Sequence, residues 1–423
     1  MSAPARDAST RRIGPLLVLF GANAISLTGN VMTLTAVPWF VLQTTGSAAM
    51  TGIIASLNFL PIVLANLFGG AFVDRLGYKR ASVIADLTSG FTVAMIPLLY
   101  VTAGLPFWVL GVLVFLGALL DAPGSTARSA LLPEAAQQAG WSMERASGVY
   151  AAVERGSRLA GAPLAGFLIV FVGATNVLWV DAATFFLSAI AISLAGVVAP
   201  RPESSTGYLS ELKAGLTFWR RDKVLVALTL TVTATNLLDS FSSVLLPVLA
   251  NVLYGSPVSL GLMLGAMGGG SVASALLFAA TGHRLPRHRT FAVCFSLVAL
   301  YYPLLALFPP EIGAVLVMFG AGLASGPLNP ILHTVEFERV PPYMRGRVFG
   351  LTQAFAWMAM PLGVLLAGVL VEFVGLRATM FGAGSAYVLT ALTIWINRAM
   401  KEMDAPVSMA TAKLGRRAPS ASV

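Results

Sequence analysis

The chain has 423 residues, of which 57% are apolar, 41 are glycine and only 11% carry charge. A soluble globular chain carries charge on about 25% of its residues, so this composition excludes a soluble protein. The lone Cys294 excludes a disulfide framework or a cysteine-built metal site, and the net charge of +9 acquires meaning only once it is located along the chain.

Charge-free intervals mark the elements. Ile13 to Val73 runs 61 residues without a charged side chain, and Leu87 to Leu120 runs 34. A helix of about 20 residues, rising about 1.5 Å per residue, crosses a hydrocarbon core of about 30 Å, so the first interval holds two spans and a turn. Divided at charged clusters and at Gly, Pro and Asn breaks, the sequence predicts twelve spans over 15–42, 50–73, 81–102, 107–127, 147–171, 175–198, 224–251, 257–280, 290–308, 312–333, 348–373 and 377–396. The first apolar run is too long for a signal-peptide core and continues into a second span, so it is expected to remain a membrane helix.

Of the 27 basic residues, 24 fall in the two tails and the even-numbered gaps, Arg128 and Arg145 among them. The odd-numbered gaps hold only Arg377, while Arg155 and Arg158 lie within the fifth span. This asymmetry predicts that both termini are cytoplasmic. The positive charge is therefore a topology signal, and without a basic stripe interleaved with aromatics it gives no reason to expect nucleic acid as a partner. The longest polar interval, Ala199 to Lys223, turns amphipathic through Leu209, Leu212, Leu216, Phe218 and Trp219. It divides the chain into a six-helix half over 1–198, a cytoplasmic linker over 199–223, a second six-helix half over 224–397 and a tail over 398–423. The halves echo one another: Asp74 to Arg80 matches His283 to Arg289, and Pro133 matches Pro342, both at an offset of 209. A six-plus-six repeat with pseudo-twofold halves is the organisation of a secondary transporter.

The loop after the second span reads Gly70-Ala71-Phe72-Val73-Asp74-Arg75-Leu76-Gly77-Tyr78-Lys79-Arg80. Gly70 permits close helix approach, Gly77 supplies a turn, and Asp74 is an anion able to cap a helix N-terminus as a conformational latch. The competing reading is a solvated positive-inside loop. These residues resemble the signature loop of the major facilitator superfamily, Gly-x-x-x-Asp-Arg/Lys-x-Gly-Arg/Lys-Arg/Lys, with Tyr78 at the first of the two final basic positions. The stretch Ala127 to Ala136, then Ala139-Gly140-Trp141-Ser142, resembles the loop after the fourth helix in drug–proton antiporters allied to macrolide efflux pumps, and most of all Tap-type multidrug efflux pumps of actinobacteria. Arg128 and Pro133 lie in that stretch. Val37 to Gln43, Asp181 to Phe185 and Arg345-Gly346-Arg347-Val348 add to the likeness, and Arg345, Gly346 and Arg347 are expected to mirror the latch in the second half.

Charges at membrane depth cost about 2.5–3.5 kcal/mol or more, so each suggests a pathway, a pairing or a relay. Five acids qualify: Asp86 and Asp121 toward the cytoplasmic third, Asp181 and Asp239 toward the outer third, and Glu154 in the fifth span. Glu154 and Arg158 stand at i and i+4 and can pair, with Arg155 rotated away. Two readings stand for that helix, a neutralised structural salt bridge and a proton-exchanging Glu154 governed by Arg155 and Arg158. Asp86 and Asp181 match positions where the family often carries acids and are open to helix packing; Asp121 and Asp239 are open to cation binding or coupling. Many relatives carry an acid in the first helix where this chain has Asn30, so Glu154 or Asp239 is expected to substitute for it. Gly161, Pro163 and Gly166 resemble, one place out of register, the hinge element of antiporters in this superfamily, although glycine-rich packing also accounts for them.

The chain has 24 phenylalanines, 15 methionines and 7 tryptophans, a supply of side chains that repack around bulky amphiphiles. It has no Gly-x-x-x-x-Gly-Lys-Ser/Thr loop for nucleotide hydrolysis, and His283, His288 and His333 make no metal set. The expectation is an all-α polytopic transporter rather than an enzyme. It would export drug-like molecules, tetracycline- and aminoglycoside-type antibiotics among them as the resemblance implies. It would draw on a proton gradient without cofactor or metal, and act as a monomer in the cell membrane. The alternatives are an exporter of an endogenous metabolite, siderophore or lipid, and then a membrane enzyme or receptor.

Overall fold

The computed structural model describes residues 12–196, 208–341 and 344–404, with side-chain surroundings described for all of these except 62–75, 208–212, 214, 283 and 346. Among the described residues the secondary structure is entirely helical. The helices are α1 Gly14–Thr45, α2 Ala48–Leu76, α3 Tyr78–Thr102, α4 Phe107–Ala130, α5 Leu132–Ala139, α6 Met143–Val172, α7 Ala174–Leu194, α8 Tyr208–Arg221, α9 Lys223–Ser240 and α10 Ser242–Leu249. There follow α11 Pro257–Thr281, α12 Arg287–Val298, α13 Tyr301–Ala306, α14 Glu311–Ser325, α15 Leu328–Arg339, α16 Arg345–Met358, α17 Met360–Val374, α18 Leu376–Ile396 and the short α19 Arg398–Lys401. Eleven helical stretches are long and apolar enough to cross a membrane, and the 29-residue α2 brings the number to the twelve expected.

Two compact units divide the chain. The first contains residues up to Ser204 together with Ser256–Gly265, and the second contains Ser205–Gly255 and everything from Ala266 onward. In the first unit, Leu16, Leu19 and Phe20 of α1 pack against Leu131, Leu132, Ala135 and Ala136 at α5 and Ile192 of α7. In the second, α8 lays Phe218 and Trp219 over Leu225, Val340 and Val348. The Trp219 indole N–H donates to Thr229 Oγ1 at 2.9 Å, and its ring stacks on Phe355 at 5.1 Å. The amphipathic linker is thus a docked helix. Large apolar side chains such as Leu194 and Phe373 stand 80% and 82% exposed, which suits lipid rather than water as their surroundings.

Several predicted single spans are interrupted, for a reason visible in the sequence. Proline has no N–H to give the carbonyl four residues back. Pro303, Pro330 and Pro361 withhold that bond from Ala299, Gly326 and Trp357, and the breaks α12/α13, α14/α15 and α16/α17 fall at those places. One correction concerns the residues around Pro133. The stretch expected to be a loop holding Arg128 and Pro133 is largely helical: Arg128 lies in the last turn of α4 and Pro133 in the first turn of α5. Proline suits a first helical turn, where its missing N–H is no loss. Gly77, before α3, has φ +79°, a backbone conformation that favours glycine. Gly173 before α7 and Gly375 before α18 share nearly one conformation, φ 83° and ψ 153° against φ 86° and ψ 159°, so the same turn recurs in both units.

Candidate functional site

In the first unit a polar network runs through apolar helices. Arg128 forms an ion pair with Asp86 of α3, and the other Asp86 oxygen accepts from Ser188 Oγ of α7 at 2.7 Å. Arg128 Nη2 lies 3.7 Å from Asp121 Oδ1, while Asp121 Oδ2 accepts from Asn30 Nδ2 of α1 at 2.7 Å. The sequence reading expects Arg128 at the cytoplasmic surface as a topology charge; instead it is 2% exposed. Asp121 precedes it by seven residues on α4, and Asp86 reaches it from α3, so the guanidinium has carboxylates on two sides. Burial of such a charge is tolerated only when it is paired.

The two acids are not equivalent. The Asp86 side chain is 0% exposed and bonded on both oxygens, whereas that of Asp121 is 15% exposed, more distant from the guanidinium, and has no hydrogen-bond partner on Oδ1. With all three groups ionised, one guanidinium faces two carboxylates, so the cluster can accept one proton without becoming positive.

Asp181 of α7 sits beside this network. Its oxygens accept from Thr33 Oγ1 of α1 at 2.5 Å and Thr184 Oγ1 at 3.1 Å, and among the described residues no cation pairs with it. Gly29 makes room for it, since a Cβ at that position would collide with Thr184 Oγ1 and Asp181 Oδ1. One turn of α1, from Gly29 to Thr33, therefore touches both Asp121 and Asp181. These two acids were expected in opposite thirds of the bundle; the shared turn places them at neighbouring levels.

The second unit also holds an acid with no ion pair among the described residues. Asp239, at the end of α9, accepts from Tyr387 Oη of α18 at 3.4 Å, and its Oδ1 is enclosed without a partner. The helix breaks just beyond it, where the Leu238 and Asp239 carbonyls accept from Tyr302 Oη at 2.8 Å and Ser242 Oγ at 2.6 Å. A cavity of about 150 Å³ opens on Asp239, lined also by Asn236, Phe291, Phe295, Asn329 and Tyr387.

The remaining candidates are distributed as follows. Glu154 is half-buried on α6 and Arg155 and Arg158 are exposed; the expected i, i+4 ion pair is not among those formed by the described residues. Gly161 and Gly166 are close-contact positions in the first unit. A Cβ on Gly161 would approach Val31 to 2.7 Å, and one on Gly166 would lie 3.1 Å from Gly261 Cα. Pro163 lies inside α6, which continues through it, and its ring meets Gly265.

The stretch expected as a loop over 70–80 is helical apart from Gly77: Gly70, Asp74 and Arg75 belong to α2, with their side chains outside the described residues, and Lys79 and Arg80 to α3. Lys79 Nζ donates to the Ala195 carbonyl at 2.7 Å, at the C-terminal end of α7, and Arg80 is exposed. Arg345 donates to the carbonyls of Phe337 at 3.0 Å and Val340 at 3.3 Å, and lies over the Phe337 ring at 5.1 Å. Arg347 packs against Gly215 of α8; Gly346 belongs to α16, with its surroundings outside the described residues. Sequence reasoning missed Thr33, Thr184, Ser188, Tyr302 and Tyr387. A hydroxyl in an apolar helix is a weak signal because it can bond to its own backbone.

Comparison with known proteins follows the same lines. The sequence profile described as Major Facilitator Superfamily matches residues 19–360 and 228–418. The multidrug efflux pump Tap of Mycobacterium tuberculosis is 36% identical over 401 residues, 92% of this chain and 95% of that protein. Macrolide efflux protein A of Streptococcus pyogenes is 20% identical over 392 residues, covering 91% of this chain and 96% of that one. Among solved structures, the nucleoside transporter NupG superposes with a TM-score of 0.75 at 14% identity, covering 90% of this chain and 98% of its own.

Proposed function

This chain belongs to the major facilitator superfamily, and we propose that within it the protein is a proton-coupled exporter of drug-like molecules that works by alternating access. The reading of export and of drug-like cargo is supported by the similarity to Tap along almost the whole chain. The reading of proton coupling is supported by one observation in the first unit: two carboxylates, Asp86 and Asp121, share a single buried cation, Arg128.

In this reading Asp121 carries the proton. Ionised, it shares Arg128 with Asp86; protonated, it leaves the guanidinium to Asp86 alone and keeps its bond to Asn30. Arg128 then changes its balance of partners as the proton arrives and leaves, while α1, α3, α4 and α7 move as the elements that hold them. Alternating exposure of the site to the two sides of the membrane would couple that change to cargo movement. Glu154, which forms no ion pair among the described residues, is the less favoured carrier. The protein is proposed to lie in the cell membrane with both termini cytoplasmic, to work as a monomer and to need no cofactor.

The test is expression in a host deleted for its own pumps, with drug susceptibility measured across a panel with and without a protonophore. Protection that the protonophore removes, and that Asp121→Asn also removes, is the expected result. Protection indifferent to the protonophore would overturn the coupling, and absence of protection against every drug would overturn the cargo.

A further inference from the structure

The linker helix α8 is used by neither the proton cycle nor the cargo reading. Its docked face is apolar: Phe218 and Trp219 pack against Leu225, Val340 and Val348, and Gly215 is buried against Arg347. The opposite face is cationic. Lys213, Thr217 and Arg220 stand at i, i+4 and i+7, a single stripe of the helix, and all three are exposed, as are Arg221 beside them and Lys223 just beyond.

Among the described residues, Lys213, Arg220, Arg221 and Lys223 form no ion pair. The acid in their midst, Asp222, is 5% exposed and committed to Arg339 and to the N-terminus of α9, so it offers the stripe no free counter-charge. Several other cations at helix ends are engaged by the protein itself: Lys79 by the Ala195 carbonyl, Arg287 by Glu338, and Arg345 by the carbonyls of Phe337 and Val340. A topology signal requires basic residues only in number. Their alignment on one helical face, opposite a docked one, is a further feature.

The depth of α8 identifies the anion. The helix ends two residues before Lys223, where a helical stretch long and apolar enough to cross a membrane begins. Trp219 bonds to Thr229, six residues into that stretch and about 9 Å along its axis at about 1.5 Å per residue. The headgroup layer on each side of the hydrocarbon is about 5–8 Å thick, so α8 lies beside α9 at headgroup depth. Its indole sits at the level that interfacial tryptophans favour. An amphipathic helix at that depth, with lysine and arginine on its free face, is suited to lipid phosphate by a charge-assisted contact from each cation.

We infer that the exposed face of α8 is a docking surface for anionic phospholipid headgroups, with Lys213, Arg220 and Arg221 as the phosphate contacts. The phosphates belong to the leaflet in which α9 begins, so the linker is held to the bilayer as well as to the helices it packs on. This lipid contact is independent of proton coupling and of the cargo.

The test uses full-length protein in phosphatidylcholine nanodiscs. Thr217→Cys, in a Cys294→Ser background, carries a fluorophore on the stripe, and quenching by spin-labelled phosphatidylglycerol is compared with quenching by spin-labelled phosphatidylcholine. The anionic probe is expected to quench at a mole fraction about fivefold lower or more, the effect of one basic side chain at an anionic surface. That advantage should shrink as salt rises from about 0.05 to 0.5 M. Lys213→Gln/Arg220→Gln/Arg221→Gln should bring the two probes within about twofold of each other. Lys213→Glu/Arg220→Glu/Arg221→Glu should reverse their order, a result that misfolding does not produce. Arg80→Gln/Arg289→Gln, which takes exposed cations from α3 and α12, should leave the preference within about twofold of the parent. Equal quenching by both lipids overturns the inference. So does an equal loss in Arg80→Gln/Arg289→Gln and in the glutamine triple, which would trace the preference to net charge. Displacement of the anionic lipid by water-soluble glycerol phosphate would mean that the face takes free phosphate esters, and overturns it as well.

Discussion

Asn30 of α1 donates its side-chain amide to Asp121 of α4 at 2.7 Å, joining positions 91 residues apart in sequence. An amide at that place holds Asp121 by a bond it can keep in either protonation state, because the carboxyl oxygen accepts whether or not the other oxygen bears a proton.

The pair makes a swap experiment possible. Asn30→Asp puts two acids within hydrogen-bond reach, and Asp121→Asn removes the proton carrier; each is expected to depress pH-gradient-driven efflux in everted vesicles. The double variant Asn30→Asp/Asp121→Asn restores one acid and one amide in contact. We expect it to recover efflux beyond what the single losses add up to, with a coupling of about 0.5–3 kcal/mol, typical of touching polar residues. Additive losses would place the proton elsewhere, with Glu154 the first alternative.

Arg128 has a separate structural role. Arg128→Met leaves the buried Asp86 carboxylate without its cation, held only by the Ser188 hydroxyl, and should cost about 3–5 kcal/mol of stability. Asp86→Asn in the same background removes the orphaned charge and should return a good part of it. Thermal unfolding of the purified proteins in one detergent checks the pair of values. A background in which Asp86→Asn adds further loss would show that the guanidinium is held by something other than this ion pair.

Gly29 is a test of close packing at Asp181. Gly29→Ala drives a methyl into Asp181 Oδ1 and Thr184 Oγ1, so those side chains must turn aside, losing their hydrogen bonds, or α1 and α7 must part. Overpacking of this sort costs about 1–3 kcal/mol. Gly148→Ala on α6 is the control, as nothing lies within 4 Å of its added Cβ; it should be neutral or gain up to about 1 kcal/mol from helix propensity. Melting temperatures that move together in the two variants would refute the packing argument.

Asp222 does two things in the second unit: it caps α9 through the N–H groups of Val224 and Leu225, and it pairs with Arg339 at 3.0 Å. Asp222→Asn keeps the cap and loses the charge, whereas Asp222→Ala loses both. The alanine variant is expected to be the less stable by about 1 kcal/mol, the usual worth of an N-cap. Equal stabilities, read by thermal unfolding, would mean that the ion pair carries the whole effect.

Much of the fold was legible because the bilayer imposes simple demands. Residues 13–73 lack charge over a length that only two spans can use, and α1 and α2 occur there. Three spans read as continuous are broken near Pro303, Pro330 and Pro361, each of which cannot donate a backbone bond. Yet Pro38, Pro61, Pro97, Pro123 and Pro163 lie inside unbroken helices, so proline by itself did not mark the breaks. The site was less legible. Arg128 looked like a loop cation because it stands among small and polar residues at the end of a span, and hydropathy does not register that an acid on another helix can bury it. Glu154 and Arg158 looked paired because i, i+4 spacing permits it, yet spacing along one helix does not decide which way two side chains turn.

Taken by itself, the sequence determined that this is a twelve-span helical membrane protein. It also named Asp86, Asp121, Asp181 and Asp239 as charges needing a reason, since uncompensated charge in hydrocarbon is too costly to be incidental. Only the tertiary structure decided their partners: Asp86 and Asp121 on one arginine, Asp181 among threonines, Asp239 beside a cavity with a tyrosine hydroxyl for company. Those assignments depend on which helices pack together and at what register, and an apolar helix face reads much the same whichever neighbour it meets.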